Sequence, residues 1–210
     1  TGNYGSGKSL TTALFGKASK QFKTIIIDFD ILNNSINTLF RIQKYNKKPK
    51  ELKDYIKRIN SNLHILCGID IFFNKENKIN YEKVHKIFQE LKKQYELILV
   101  DTSSETNLKY VKTILTNSDK ILFLLEPNMI EIKKAQNLLD IYIKDWKIPI
   151  HKFKLILNKV NINSIDEAIV ADLFDKIKII GKINLSNRYT SLANNINLYG
   201  IGLSKYIKIL

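Results

Sequence analysis

Short runs of consecutive hydrophobic residues recur along the chain, separated by longer stretches of mixed character. The runs lie at 24–27, 63–66, 97–100, 121–125, 153–157 and 177–180. Continuous apolar runs of four or five residues are typical of strands that are buried on both faces of a parallel sheet. The pattern therefore predicts six buried strands.

Between these runs, apolar residues recur three or four positions apart, which is the spacing of one helix face. One such helix carries Val84, Ile87 and Leu91, a second extends from Ile132 to Trp146, and a third starts at Ser9. Strands that alternate with helices form right-handed βαβ units. We expect an α/β fold, with a doubly wound and mostly parallel β-sheet flanked by helices.

The segment 33–61 has the least regular pattern. We expect a short helix there, then a basic turn at 47–50. A second helix should follow, carrying Leu52, Tyr55, Ile56 and Ile59 on one face.

The length of 210 residues predicts a single domain over 1–210. The chain opens inside a motif that normally follows a strand. We therefore expect that a first strand belongs upstream of Thr1, that this sequence lacks it, and that the natural protein is longer.

The composition limits the classes of protein that need to be considered. Hydrophobic residues make up 44% of the chain, enough for a substantial core, and the single cysteine, Cys67, excludes an internal disulfide framework and a CxxC redox pair. No apolar run approaches the roughly 18 residues that span a bilayer. We expect a cytoplasmic protein, with peripheral association at a membrane or the nucleoid left open.

The formal net charge is +14, from 34 basic and 20 acidic residues. Only three of the basic residues are arginines, and the lysines are spread along the sequence. A basic surface attracts DNA phosphates and anionic lipids through long-range fields. A solvated lysine surface and non-specific contact with DNA or a membrane both stay open.

The strongest motif lies at the start of the chain. Residues 2–9, GNYGSGKS, match the phosphate-binding loop G-x-x-x-x-G-K-[ST] without a mismatch. In such a loop backbone N–H groups surround the β-phosphate, Lys8 reaches the β- and γ-phosphates, and the Ser9 hydroxyl binds Mg²⁺. The alternative is a glycine-rich turn capped by Ser9. The residues that we expect to contact a nucleotide here are Gly2, Asn3, Tyr4, Gly5, Ser6, Gly7, Lys8, Ser9 and Leu10.

Acidic residues follow two of the predicted strands. Asp28 and Asp30 come after the run at 24–27, and Asp101 follows the run at 97–100. Carboxylates at the carboxyl ends of parallel strands are where a nucleotide hydrolase holds its metal. We expect Asp101 to hold Mg²⁺ through a water and Asp28 to lie at the metal. Continued strand alternation would put Asp30 on the same side as Asp28. The alternative is that these aspartates only cap the helices that follow.

A polar cluster after the run at 153–157 suggests a base-binding turn. Asn158, Lys159 and Asn161 resemble the N-K-x-D guanine-binding motif, but an amide replaces the final carboxylate. Asn161 cannot accept both guanine N–H groups as a charged acceptor, whereas Asn158 can bond to an adenine edge. The residues favour ATP over GTP, and a simple turn is the alternative.

Taken together, these motifs resemble the ParA/MinD group of P-loop ATPases, which has the SIMIBI type of P-loop NTPase fold. The resemblance implies ATP or ADP with Mg²⁺ as cofactors and an ATP-dependent homodimer that positions or assembles a partner protein. It also implies that Lys8 and Asp30 are catalytic, with Asp30 orienting the attacking water, and that Asn184 lies in the base loop. The matching segments are 1–12, 24–37, 95–102, 118–139, 158–160, 180–184 and 192–195.

Two positions depart from the family pattern. The signature lysine after the first loop glycine is Asn3, and the proline of the last loop would fall at Asn184 or Leu185. In typical relatives that lysine reaches the phosphates of the partner subunit. Its loss favours atypical members, such as pilus-assembly ATPases of the CpaE/TadZ type. We expect slow hydrolysis, and dimerisation that is weak or absent without a partner.

The leading functional hypothesis is a slow ATPase that acts as a nucleotide switch in spatial positioning or partitioning. Chromosomes, plasmids, the division site, and pilus or secretion machinery are all candidate cargoes. The alternative is a nucleotide-binding structural hub that does not hydrolyse ATP. At the end of the chain, Leu203, Tyr206, Ile207 and Leu210 would share one helix face. We expect this tail to pack on the domain, because about nine residues are short for membrane binding.

Overall fold

The computed structural model describes residues 1–30, 35–43, 49–74, 76, 78–103 and 109–185. The tail that was predicted to form a helix lies outside the described residues, as do residues 47 and 48 of the predicted basic turn. No helix among the described residues is long and apolar enough to cross a membrane.

The described residues form six α-helices and seven strands. The helices are α1 (Lys8–Ala18), α2 (Ser35–Leu39), α3 (Tyr81–Gln94), α4 (Lys109–Asn117), α5 (Met129–Asp140) and α6 (Glu167–Leu173). The strands are β1 (Thr24–Phe29), β2 (Ile56–Arg58), β3 (Leu63–Leu66), β4 (Leu97–Thr102), β5 (Ile121–Leu125), β6 (Phe153–Val160) and β7 (Ile179–Asn184). The six predicted strands and the helices at 84–91, from Ser9 and from Ile132 are present. The expectation that all six strands are buried is wrong for β4 and β7, whose residues are mostly half-buried or exposed because each strand lies at the end of its sheet.

Contacts divide the described chain into two compact units. One contains residues 9–102, and the other contains residues 1–8 and 103–185. Each unit holds one sheet. The expectation of a single domain over 1–210 stays a prediction.

The unit of residues 9–102 has a four-stranded sheet in the order β2-β3-β1-β4. β1 pairs in parallel with both β3 and β4, and every residue of β1 is buried. In this register Asp28 of β1 lies opposite Asp101 of β4. Helix α1 lies close to the sheet at Gly16, where an added Cβ would be 2.5 Å from Ile26 Cδ1. The parallel pairing places the carboxyl ends of β1 and β4 side by side.

The unit of residues 1–8 and 103–185 has an all-parallel sheet in the order β5-β6-β7. Gly2 forms a parallel bridge with Leu124 of β5, and Leu124 N–H donates to the Thr1 carbonyl (2.9 Å). The start of the chain is therefore held along β5. Helix α5 follows β5 and continues as a π-helix over Ile141–Asp145.

The predicted helix with Leu52, Tyr55, Ile56 and Ile59 on one face is wrong. A 3₁₀-helix over Leu52–Tyr55 leads directly into strand β2, which pairs antiparallel with β3. Backbone pairing with β3 stabilises this segment as a strand although its apolar spacing suits a helix, since tertiary contacts override local propensity. The fold class itself is confirmed: mostly parallel sheets flanked by helices.

Candidate functional site

The loop of residues 2–8 has the backbone conformation that its glycines allow. Gly5 and Gly7 have φ values of 73° and 85°, in the left-handed region that side chains disfavour. At Gly7 a Cβ would also lie 2.7 Å from Asn158 Nδ2. The turn closes with a hydrogen bond from Ser6 N–H to the Asn3 carbonyl (3.2 Å). The loop is a tight turn in which both the backbone conformation and Asn158 disfavour a side chain at position 7.

Three contacts hold this loop to the β5-β6-β7 unit. Gly2 bridges to β5, as described above. Asn3 Nδ2 donates to both Glu131 Oε2 (2.7 Å) and the Glu131 carbonyl (2.8 Å) on α5. Asn158 Nδ2 on β6 donates to the Ser6 carbonyl (2.6 Å). The loop is thus fixed at its first, second and fifth residues.

Lys8 is the first residue of α1, and its Nζ donates to the Asn3 carbonyl (3.0 Å). The lysine ammonium therefore lies against the backbone of its own loop. Tyr4 is 88% exposed, whereas Ser6 is buried and its Oγ has no hydrogen-bond partner among the described residues. An unsatisfied donor inside a turn whose N–H groups and lysine carry positive potential fits an anionic ligand.

The unit of residues 9–102 holds a pair of buried carboxylates. Asp28 and Asp101 are 3% and 1% exposed and lie opposite each other on β1 and β4. Burial and the neighbouring Asp101 charge raise the pKa of Asp28 to about 7, although hydrogen bonds from Ile36 and Asp30 N–H groups oppose the shift. Two buried oxygen ligands with excess negative charge suit a hard divalent cation such as Mg²⁺.

The structure also describes the other residues that were predicted to lie near the metal. Ser9 and Leu10 are half-buried in the first turn of α1. Asp30 follows the end of β1, and its N–H donates to Asp28 Oδ1 (3.0 Å). The strand alternation that was to place Asp30 beside Asp28 is therefore absent, because β1 ends at Phe29. No group of three or more His, Cys, Asp or Glu side chains suited to a metal occurs among the described residues. A metal at Asp28 and Asp101 would need ligands from outside this set.

The predicted base-side residues lie toward the carboxyl ends of β6 and β7. Asn158 and Lys159 belong to β6, and Asn184, the last residue of β7, pairs with Val160. Lys159 has a φ of 56° at an irregularity in the ladder, and its Nζ pairs with Glu126 Oε2 (3.0 Å). Asn158 is 8% exposed, with its amide directed at the loop. Contact of these residues with a base stays a prediction.

Two acidic residues that contact the predicted site were missed from the sequence. Glu131 holds the Asn3 side chain, and Glu126 pairs with Lys159. Glu131 stands in the first turn of α5, where an acidic residue is usual because it interacts well with the helix dipole. No local signal distinguished it. Glu126 follows β5 directly, which is the signal that could have marked it.

No protein-family model matches the chain, and no curated protein matches its sequence. Solved structures do match. They include MinD from Pyrococcus horikoshii complexed with Mg-ADP (TM-score 0.75, 19% identity, covering 100% of this chain and 91% of that one). A MinC:MinD cell division complex from Aquifex aeolicus matches with a TM-score of 0.76 at 20% identity (93% and 83%). A ParA family ATPase from Chlorobium tepidum matches with a TM-score of 0.70 at 18% identity (100% and 89%). The chain has the fold of the MinD and ParA ATPases.

Proposed function

We propose that this protein binds Mg·ATP, hydrolyses it slowly, and acts as a nucleotide switch in positioning or partitioning. The observation that carries the proposal is the loop of residues 2–8. It has left-handed glycines, a fixed backbone and an adjacent lysine. A loop of this sequence and shape is suited to a polyphosphate, because its N–H groups and the N-terminus of α1 present positive potential.

The loop residues would bind and orient the phosphates. Backbone N–H groups from Gly2 to Ser9 would donate to the phosphate oxygens, and Lys8 Nζ would exchange the Asn3 carbonyl for a β- or γ-phosphate oxygen. That exchange moves the ammonium from a neutral acceptor to charged ones, which make stronger hydrogen bonds. Phosphate binding therefore supplies the driving force for moving Lys8.

Ser9, Asp28 and Asp101 are the residues that would hold Mg²⁺, with Asp101 acting through a water. The cation supplies charge neutralisation at the phosphates. Asp28 and Asp101 would supply two buried anionic groups that lie opposite each other on β1 and β4. The described residues hold no group of three or more His, Cys, Asp or Glu side chains suited to a metal, so the remaining ligands would come from outside this set.

Asp30 would orient the attacking water, and Asn158, Lys159 and Asn184 would flank the adenine. Asp30 stands two residues after Asp28, and the Asx turn between them fixes its backbone. Asn158 is bonded to the Ser6 carbonyl, which links the base side of the proposed site to the phosphate side. A contact between a nucleotide base and Asn158 would therefore also affect the loop.

We propose the cellular role from the proteins that share this fold. The similar structures are cell-division MinD proteins, one of them with MinC, and ParA-family ATPases. We propose a partner protein for this chain, and a basic surface that contacts DNA or a membrane, since the net charge is +14. The alternative is a structural hub that binds nucleotide without useful turnover, which the absence of the signature lysine at Asn3 favours.

Steady-state ATP turnover separates the two candidates. The parent protein and Asp30→Ala are assayed with and without DNA and anionic vesicles. A switch predicts slow turnover in the parent, stimulated by one of these surfaces, and a large loss in Asp30→Ala with ATP affinity kept within a few-fold. If ATP binds but is not hydrolysed under any condition, the structural hub is the remaining candidate. Turnover by Asp30→Ala at the parent rate would show that the role of Asp30 is wrong.

A further inference from the structure

Asn3 connects the loop to α5 within a single chain. We infer that Asn3 is a positioning residue: its contact with Glu131 holds the loop of residues 2–8 in its phosphate-ready shape before any nucleotide is bound. The inference deepens the proposed function and rests on it only for its nucleotide readout. The shape of the free loop can be measured separately.

The side chain of Asn3 makes two short contacts with Glu131. Asn3 is 5% exposed, and its Nδ2 lies 2.7 Å from Glu131 Oε2 and 2.8 Å from the Glu131 carbonyl. An amide nitrogen carries two N–H donors, and here each has an acceptor. The surroundings offer acceptors to this nitrogen, so the position suits a side chain that donates.

Glu131, the acceptor of the Asn3 side chain, is itself held in place. Glu131 N–H donates to the Asn128 side chain at the start of α5, and the other Glu131 carboxylate oxygen pairs with Lys134 (2.7 Å). Burial raises the pKa of Glu131, but the hydrogen bonds from Lys134 and Asn3, together with the charges of Lys134 and Lys159, lower the pKa overall. Glu131 is therefore an ionised acceptor with a fixed orientation. Hydrogen bonds to charged groups are about twice as strong as neutral ones.

The backbone of Asn3 also holds the loop. Its carbonyl accepts both the Ser6 N–H that closes the turn (3.2 Å) and the Lys8 ammonium (3.0 Å). The side chain is thus tied to α5, while the backbone of the same residue sets the turn and the lysine. Release of the side chain would free the peptide on which both contacts depend.

The side-chain contacts of Asn3 lie within its own chain. A side chain that is buried and bonded to α5 of its own chain does not extend toward a second copy. Where the family resemblance places a lysine that reaches across a dimer, this chain has an intrachain anchor. Asn3 therefore acts within the monomer.

Hydrogen exchange of the nucleotide-free protein tests this, with peptides covering residues 2–8 compared across variants. Asn3→Ala removes both hydrogen bonds, Glu131→Ala removes the carboxylate but keeps the carbonyl, and Glu131→Gln keeps a side-chain acceptor. We expect exchange about ten-fold faster in Asn3→Ala, a smaller increase in Glu131→Ala, and the smallest increase in Glu131→Gln, whose neutral acceptor makes a weaker hydrogen bond. Lys144→Ala is the control, since it removes the ion pair with Asp140 at the end of α5 and leaves the contacts of Glu131 intact.

A reversed pair gives a rescue test. Asn3→Asp puts a carboxylate against Glu131 and should open the loop, whereas Asn3→Asp combined with Glu131→Gln restores a donor facing an acceptor. We expect the double variant to exchange more slowly than Asn3→Asp alone. Equal exchange in the two, or parent-like exchange in Asn3→Ala, would overturn the inference.

Nucleotide binding is the second readout. Calorimetric titration with Mg·ADP should show an affinity about ten-fold weaker in Asn3→Ala, with Lys144→Ala close to the parent. If the parent itself binds no Mg·ADP while loop exchange responds to Asn3→Ala, the proposed function fails and the positioning role stands. If Mg·ADP binds equally to the parent and to Asn3→Ala, positioning by Asn3 is wrong and the proposed function stands.

Discussion

Gly7 lies at a tight point of the loop. Its left-handed φ and its contact with Asn158 are two separate reasons for glycine, one conformational and one steric. Gly5 has only the first reason, because a Cβ there would meet nothing within 4 Å. The two glycines therefore allow the two effects to be separated.

We predict that Gly7→Ala lowers the affinity for Mg·ATP by more than ten-fold. The new Cβ must displace Asn158, whose amide holds the Ser6 carbonyl. Gly5→Ala is the matched control: it carries the same left-handed penalty of about 1 kcal/mol and should bind within a few-fold of the parent. Calorimetric titrations of both variants measure this. Equal losses would mean that the Asn158 contact is unimportant.

Residue roles differed in how far the sequence could predict them. Lys8 and Ser9 stand at fixed places in a motif, and Asp28 and Asp101 follow apolar runs, so local spacing was sufficient to nominate them. Glu131 could not be nominated, because its contact with Asn3 joins residues 128 positions apart in a pair that no motif specifies.

At the scale of elements, α1 approaches its sheet closely at Gly16. A Cβ there would lie 2.5 Å from Ile26 Cδ1 and 3.2 Å from Leu63 Cδ1. Ile26 and Leu63 are fully buried strand residues. The absence of a side chain at position 16 lets α1 lie close against β1 and β3.

We predict that Gly16→Ala destabilises the fold by about 1 kcal/mol. Overpacking typically costs about 1–3 kcal/mol, and the better helix propensity of alanine offsets up to about 1 kcal/mol. Ile26→Val removes the Cδ1 atom that would clash, so the double variant should be more stable than the sum of the two single effects. Urea unfolding of the four proteins measures the coupling. Additive effects would contradict the proposed clash.

A second element-scale prediction concerns His64 on β3. His64 Nδ1 lies 2.7 Å from the Tyr95 hydroxyl, and burial, followed by the charges of Lys23 and Arg58, lowers the pKa of His64. The folded state then favours the neutral ring, so the unfolded state binds more protons once the pH falls below about 6.5. Stability from this group is complete above that pH and is lost as the pH falls through the lowered pKa.

Unfolding free energies measured from pH 8 to pH 5.5 test this. The parent should lose stability toward pH 5.5 more steeply than His64→Gln. His85→Gln, which replaces an exposed histidine on α3, should follow the parent. Identical slopes in the parent and His64→Gln would show that His64 does not contribute.

The elements were predicted well where the pattern was long and uniform. The six apolar runs are continuous, and the segments of α1, α3 and α5 have a regular spacing of three or four residues. Strand β2 was missed, because it has only three residues and none of them is buried. Its pairing with β3 depends on backbone hydrogen bonds, which the side-chain pattern does not show.

At the scale of the whole molecule, Asn3 predicts how copies of the chain associate. A residue that is bonded to α5 of its own chain supplies no cation to a second copy. We predict that the protein stays mainly monomeric in sedimentation velocity with a non-hydrolysed ATP analogue and Mg²⁺. A tight nucleotide-induced dimer with fast turnover would mean that another cation replaces the missing lysine.

Calorimetric titration of the parent and of Lys8→Ala with Mg·ATP measures whether residues 2–9 bind the phosphates. Lys20→Ala, which removes the same charge from an exposed position just after α1, is the control for the overall field of the protein. We predict saturable binding of Mg·ATP to the parent and to Lys20→Ala, and no detectable binding to Lys8→Ala, whose circular dichroism spectrum should match the parent. Unchanged affinity in a folded Lys8→Ala would mean that this loop is not the phosphate site.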